Sequence, residues 1–172
     1  MQFEAKSGIV SIRAVAERAP RDWVHIERAF EAPRARIFQI WTDPAAIRKW
    51  FVYGARVHWS QDPIVDAKPG GHYSWSVVGD GDDHEVFTFH GIYREVEWGK
   101  KLVFGWQWQS LPIDGVEGPG NTLVTIQFLQ QGASTKVVLT HSGLPSEAAR
   151  DAHNKGWQRC FDGIEKLLSS EP

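Results

Sequence analysis

The chain has 172 residues, a formal net charge of −2 and one cysteine, Cys160. That length favours a single domain that needs neither metal nor disulfide to fold, and a lone cysteine excludes an intrachain disulfide framework and fits a reducing, cytoplasmic setting. The near-neutral balance excludes a global basic field for nucleic acid, no apolar run approaches the ~18 residues of a membrane span, and Met1 to Lys6 lack a signal-peptide core.

Residues 1–20 read as an N-terminal arm or extra strand carrying Ile9, Val10, Ile12 and Val15, interrupted by Pro20. Such an arm could pair with a second chain to form a homodimer. Arginines of the first third, among them Arg13, Arg28 and Arg36, alternate with Glu17, Glu27 and Glu31, as on a mixed solvated surface. Residues 21–172 read as one domain. Trp23 to Phe30 is a strand whose parity (Val24, Ile26, Phe30) is broken only by Arg28. Pro33 opens a short helix bearing Ile37, Phe38 and Trp41. Asp43 caps a second helix, with Pro44 in its first turn and Ile47, Trp50 and Phe51 on one face.

From there the period becomes two. Pro69-Gly70-Gly71 is a turn or bulge, and Tyr73, Trp75 and Val77 then alternate with Ser74 and Ser76. The run from Gly79 to Asp83 is a hairpin turn. Phe87, Phe89, Gly91 and Tyr93 share one parity, as do Leu102, Phe104, Trp106 and Trp108. Residues 110–120 form a Gly- and Pro-rich loop, a candidate lid. Two more strands carry Val124, Ile126 and Phe128, then Val137, Leu139 and His141. Ser146 caps a long terminal helix whose stripe is Trp157, Phe161, Ile164 and Leu168. The class is α+β: a sheet with one aromatic face, which only the terminal helix is long enough to cover.

Several motifs, in order, carry a family resemblance. They are Ala32-Pro33-Arg34, Trp41-Thr42-Asp43-Pro44, Trp50-Phe51, Pro69-Gly70-Gly71, Gly91-Ile92-Tyr93-Arg94-Glu95-Val96, Lys101-Leu102-Val103-Phe104, Thr140-His141-Ser142-Gly143-Leu144 and Gly156-Trp157. From about Trp23 to Leu168 the chain resembles the activator-of-heat-shock-protein-90-ATPase-like family. That family lies within the START and birch-pollen-allergen-like helix-grip superfamily. The resemblance implies a curved antiparallel sheet gripping the long C-terminal helix, with two short helices after the first strand. Relatives in the superfamily include lipid and hormone carriers, cyclases, dehydratases and chaperone partners. The eukaryotic chaperone activators carry a further N-terminal domain. With about twenty residues ahead of the first matching strand, a chaperone partner is not expected.

For function, the inner aromatic stripe points to an apolar cavity for a small hydrophobic or aromatic ligand. Candidate ligand-binding residues are Trp50, Tyr73, Trp75, Phe89, Tyr93, Phe104, Trp106, Trp108, His141, Trp157 and Phe161. His141 shares the inward parity of Val137 and Leu139. It is either a proton-transfer group or a structural histidine held by a carbonyl or a tryptophan. A cyclase, dehydratase or hydrolase reading would pair His141 with Tyr73 or Tyr93. No G-x-S-x-G, Gly-rich phosphate loop or H-E-x-x-H is present, so no catalytic residue, cofactor or metal is assigned. His84 and His90 flank Glu85 without metal-site spacing. Asp80, Asp82 and Asp83 read as a solvated hairpin tip, and Cys160 as a buried, inert thiol.

Overall fold

The computed structural model describes residues 23–82, 84–109 and 121–171. The expected arm at 1–20 and the candidate lid at 110–120 lie outside the described residues. Eleven elements follow in order: β1 (Trp23–Phe30), α1 (Arg34–Thr42), α2 (Pro44–Trp50), β2 (Val57–Trp59), β3 (Ile64–Val65), β4 (His72–Gly79), β5 (Val86–Glu97), β6 (Lys101–Gln109), β7 (Thr122–Gln131), β8 (Ser134–Ser142) and α3 (Glu147–Ser169).

The strands form one eight-stranded antiparallel sheet in the order β1-β8-β7-β6-β5-β4-β2, with β3 also pairing β4. Chain neighbours are sheet neighbours from β4 to β8, as short turns dictate. The exception is β1, which crosses to pair with β8. After β1 the chain forms α1, which packs on β7 and β8, and α2, which packs on α3.

The sheet curls where Gly91 of β5 lets β6 approach. A Cβ on Gly91 would stand 1.9 Å from the Gly105 carbonyl oxygen. The Tyr73 hydroxyl donates to that same oxygen at 2.8 Å. The β5–β6 register then shifts between Tyr93 and Glu95, a bulge that bends the ladder. The concave face holds Tyr73, Trp75, Tyr93, Phe104, Trp106, Trp108, Val124, Ile126, Val137 and Leu139, all buried. α3 lies across it, burying Ala149, His153, Trp157, Cys160, Phe161, Ile164 and Leu167. Each large apolar side chain so buried is worth roughly 1.5–3 kcal/mol.

The helix starts follow the expected chemistry. Asp43 accepts from the Ala45 amide at 3.1 Å to start α2. Ser146 accepts from the Ala149 amide at 3.1 Å to start α3. Pro33 stands one place earlier than expected, as the N-cap of α1. The parity break at Arg28 has a structural reason. Its guanidinium reaches α3, donating to Asp162 at 2.6 Å and Gln158 at 3.0 Å, and lies over the Phe161 ring. α2 and α3 pack so closely at Gly163 that a Cβ there would meet the Trp50 carbonyl oxygen at 2.5 Å.

Candidate functional site

Between α3 and the β5–β6 part of the sheet lies a cavity of about 510 Å³. Phe51, just after α2, Phe89 of β5 and Trp106 of β6 form one side, and α3 forms the other with Trp157 and Cys160. The space exists because α3 presents Ala148, Ala152 and Gly156 here, three small residues at successive i+4 positions. Gly156 is the telling one. A Cβ built on it meets nothing within 4 Å. Glycine in a helix interior costs roughly 0.5–1 kcal/mol relative to alanine, and here no neighbour requires it. Asp151, Lys155 and Arg159 follow the same helical spacing, border the cavity and are exposed, so they form its rim.

Behind the wall runs a buried polar network. The Trp157 indole N–H donates to His141 Nδ1 at 3.0 Å. His141 Nε2 lies 2.7 Å from the Thr122 hydroxyl, which itself donates to the Trp106 carbonyl at 2.8 Å. A hydroxyl has one proton to give, so His141 carries its hydrogen on Nε2. A second chain runs beside it. The Trp106 indole N–H donates to His153 Nε2 at 3.2 Å, and His153 Nδ1 donates to the Ala149 carbonyl at 2.7 Å. The two imidazole rings stand edge to face, 4.8 Å apart.

Both histidines are thus neutral, with every ring nitrogen used. Burial pulls the His141 pKa well below its ordinary value, with the neighbouring His153 adding to the effect. Burial also lowers His153, partly offset by its bond to the Ala149 carbonyl. Burial raises the Tyr73 phenol far above its usual range and pushes the Cys160 thiol up to about 12. Nothing on the inner wall is charged.

Of the eleven candidate ligand-binding residues, Phe89, Trp106 and Trp157 line the cavity. The other eight are packed into the core or onto one another. The Trp50 indole donates to the Ile40 carbonyl at 2.8 Å. Tyr73, Tyr93 and Phe104 form a cluster of rings with centroids 5.4–5.7 Å apart. Trp75 packs between Trp50 and Trp106, Trp108 on His153, and Phe161 between Phe30 and Trp41. His141 is fully buried behind Trp157. Neither it, Tyr73 nor Tyr93 borders the cavity. His90, on the parity opposite Phe89, is half-buried.

Sequence reading missed His153, although it stands one helical turn before Trp157 on the same stripe. It also missed the small residues and the charged rim of α3. Among the described residues, no group of three or more His, Cys, Asp or Glu is arranged to hold a metal ion. No helix among them is long and apolar enough to cross a membrane.

A curved sheet gripping a long helix, with an aromatic-walled space under that helix, defines a helix-grip protein. The chain belongs to the family described as Activator of Hsp90 ATPase homolog 1-like protein, which matches residues 31–169. Solved structures agree on the fold. A Chromobacterium violaceum protein aligns with a TM-score of 0.74 at 19% identity, over 87% of this chain and 99% of its own. An uncharacterized Rhizobium leguminosarum protein gives 0.72 at 25% identity, over 87% and 95%. An Aeromonas hydrophila protein of the same family gives 0.68 at 21% identity, over 86% and 92%. No curated protein matches the chain.

Proposed function

We propose that this protein binds a small hydrophobic ligand, aromatic or aliphatic, in the cavity between α3 and β5–β6. One observation carries the reading: the strip of Ala148, Ala152 and Gly156 that keeps the space open. The glycine makes the helix less stable than alanine would, and no neighbouring atom requires its small size. The volume, about 510 Å³, falls within the range of small-molecule sites, and the aromatic walls match their usual lining. The mode is carriage or sensing, because the two histidines, the groups best suited to move a proton, have every ring nitrogen engaged. The family's fold supports the same reading, since its wider superfamily commonly binds apolar molecules.

Titration with N-phenyl-1-naphthylamine, an uncharged fluorescent probe, tests this. Saturable binding of one probe per chain is expected, lost in Gly156→Leu and Ala152→Phe variants that fill the space. Non-saturable emission, unchanged in both variants, would overturn the reading.

A further inference from the structure

The cavity rim carries a charge pattern that an uncharged ligand would leave unused. Lys155 and Arg159 both border the cavity and are exposed. Helical spacing offers each an acid, Asp151 four residues before Lys155 and Asp162 three after Arg159. Both acids are turned elsewhere. Asp162 binds Arg28 at 2.6 Å, and Asp151 lies 3.8 Å from Arg150 Nε. Lys155 and Arg159 make no ion pair among the described residues. The Arg159 stem runs past the turn that follows α2. Its Cγ and Cδ lie 3.6 Å from where a Cβ on Gly54 would sit.

The interior offers the opposite chemistry. Its walls are apolar rings, a neutral thiol and His153, whose two nitrogens are occupied. A charged group drawn inside would lose its hydration with nothing to replace it. A charged ligand head must therefore stay at the rim, where the free cations are. Two cations and Asp151 leave the rim one net positive charge, which a singly charged head matches.

We infer that the cavity takes an amphipathic carboxylate, its head between Lys155 and Arg159 and its apolar body against Trp106 and Trp157. This rests on the ligand-binding reading above and specifies its ligand class. The guanidinium and ammonium donate charge-assisted hydrogen bonds to the carboxylate oxygens, stronger than bonds to a neutral hydroxyl.

A matched pair of probes tests it by calorimetry at pH 7.5: 6-phenylhexanoate and 6-phenyl-1-hexanol. The acid is expected to bind about tenfold more tightly than the alcohol. A Lys155→Gln/Arg159→Gln double variant, which keeps much of both stems, should weaken the acid about tenfold and the alcohol far less. Retained alcohol binding also shows that the variant's cavity is intact. Added salt should weaken the acid alone. Equal affinities, with neither moved by the double variant, would overturn the carboxylate assignment and leave ligand binding standing. Binding of neither probe by the wild-type protein would overturn both.

Discussion

The indole N–H of Trp157, on the terminal helix, points at Nδ1 of His141, on the last strand, 3.0 Å away. This bond ties the gripped element to the sheet that grips it, and it fixes the histidine's tautomer. Replacing Trp157 with Phe keeps an aromatic ring, though a smaller one, and removes the donor, leaving His141 Nδ1 buried without a partner. Thr122→Val removes the acceptor at the other nitrogen. Each change should lower unfolding free energy by about 1–3 kcal/mol in urea titrations. The double variant should cost less than the sum, since both act through one ring. Losses below about 0.5 kcal/mol in both would show that the network does not stabilise the fold.

Acid should destabilise the protein through the two buried histidines. Their folded pKa values lie below the ordinary 6.5, so the unfolded chain binds protons first as pH falls. Their contribution is complete above about pH 6.5 and is lost progressively below it. Each can remove up to about 1.4 kcal/mol per pH unit in that window. Denaturation midpoints measured from pH 7.5 to 5 should fall, and His153→Gln should make the fall shallower. Identical pH profiles for the variant and the parent would contradict this.

Two glycines of α3 should respond with opposite signs to the same substitution. Gly156→Ala meets open space and should raise stability by about 0.5–1 kcal/mol. Gly163→Ala drives a methyl into the Trp50 carbonyl and the Tyr53 Cβ and should lower it by about 1–3 kcal/mol. Thermal unfolding of the two variants side by side reads both. A destabilising Gly156→Ala would mean that the space beside it is smaller than described.

Cys160 should be unreactive in the native state. Burial holds its thiol at about 12, so almost no thiolate exists at neutral pH. A disulfide exchange reagent at pH 8 should titrate one thiol per chain in denaturant and very little without it. Occupying the cavity with the neutral probe should slow the residual native reaction further, because Cys160 lines that space. Rapid native labelling would show that the wall opens readily.

Much of the fold was legible because strand parity and helix period report burial directly. Val137, Leu139 and His141 do point inward, and Trp157, Phe161 and Ile164 do form the buried stripe. The site was less legible, for a physical reason. Alternation tells which side chains face the interior, but not which of them find a neighbour there. Tyr73, Trp75 and Phe104 fill one another's surroundings, while Phe89 and Trp106 meet the gap left by Ala148, Ala152 and Gly156. An empty volume is made by small residues, and a search for large or titratable ones passes over them. His153 escaped for a different reason. It stands one turn before Trp157, ahead of the point where the large apolar residues of the stripe begin. The short strands β2 and β3, with three and two residues, are too brief to show a period.

The row of Ala148, Ala152 and Gly156 separates two design problems that most interiors combine. Architecture is specified on the sheet and on the opposite stripe of α3, where few substitutions would be tolerated. Capacity is specified on one narrow row of a single helix, where adding a methyl group at a time would shrink the chamber without disturbing a strand. A lineage built on this frame can therefore change the size of its chamber through a handful of codons while its architecture stays constant.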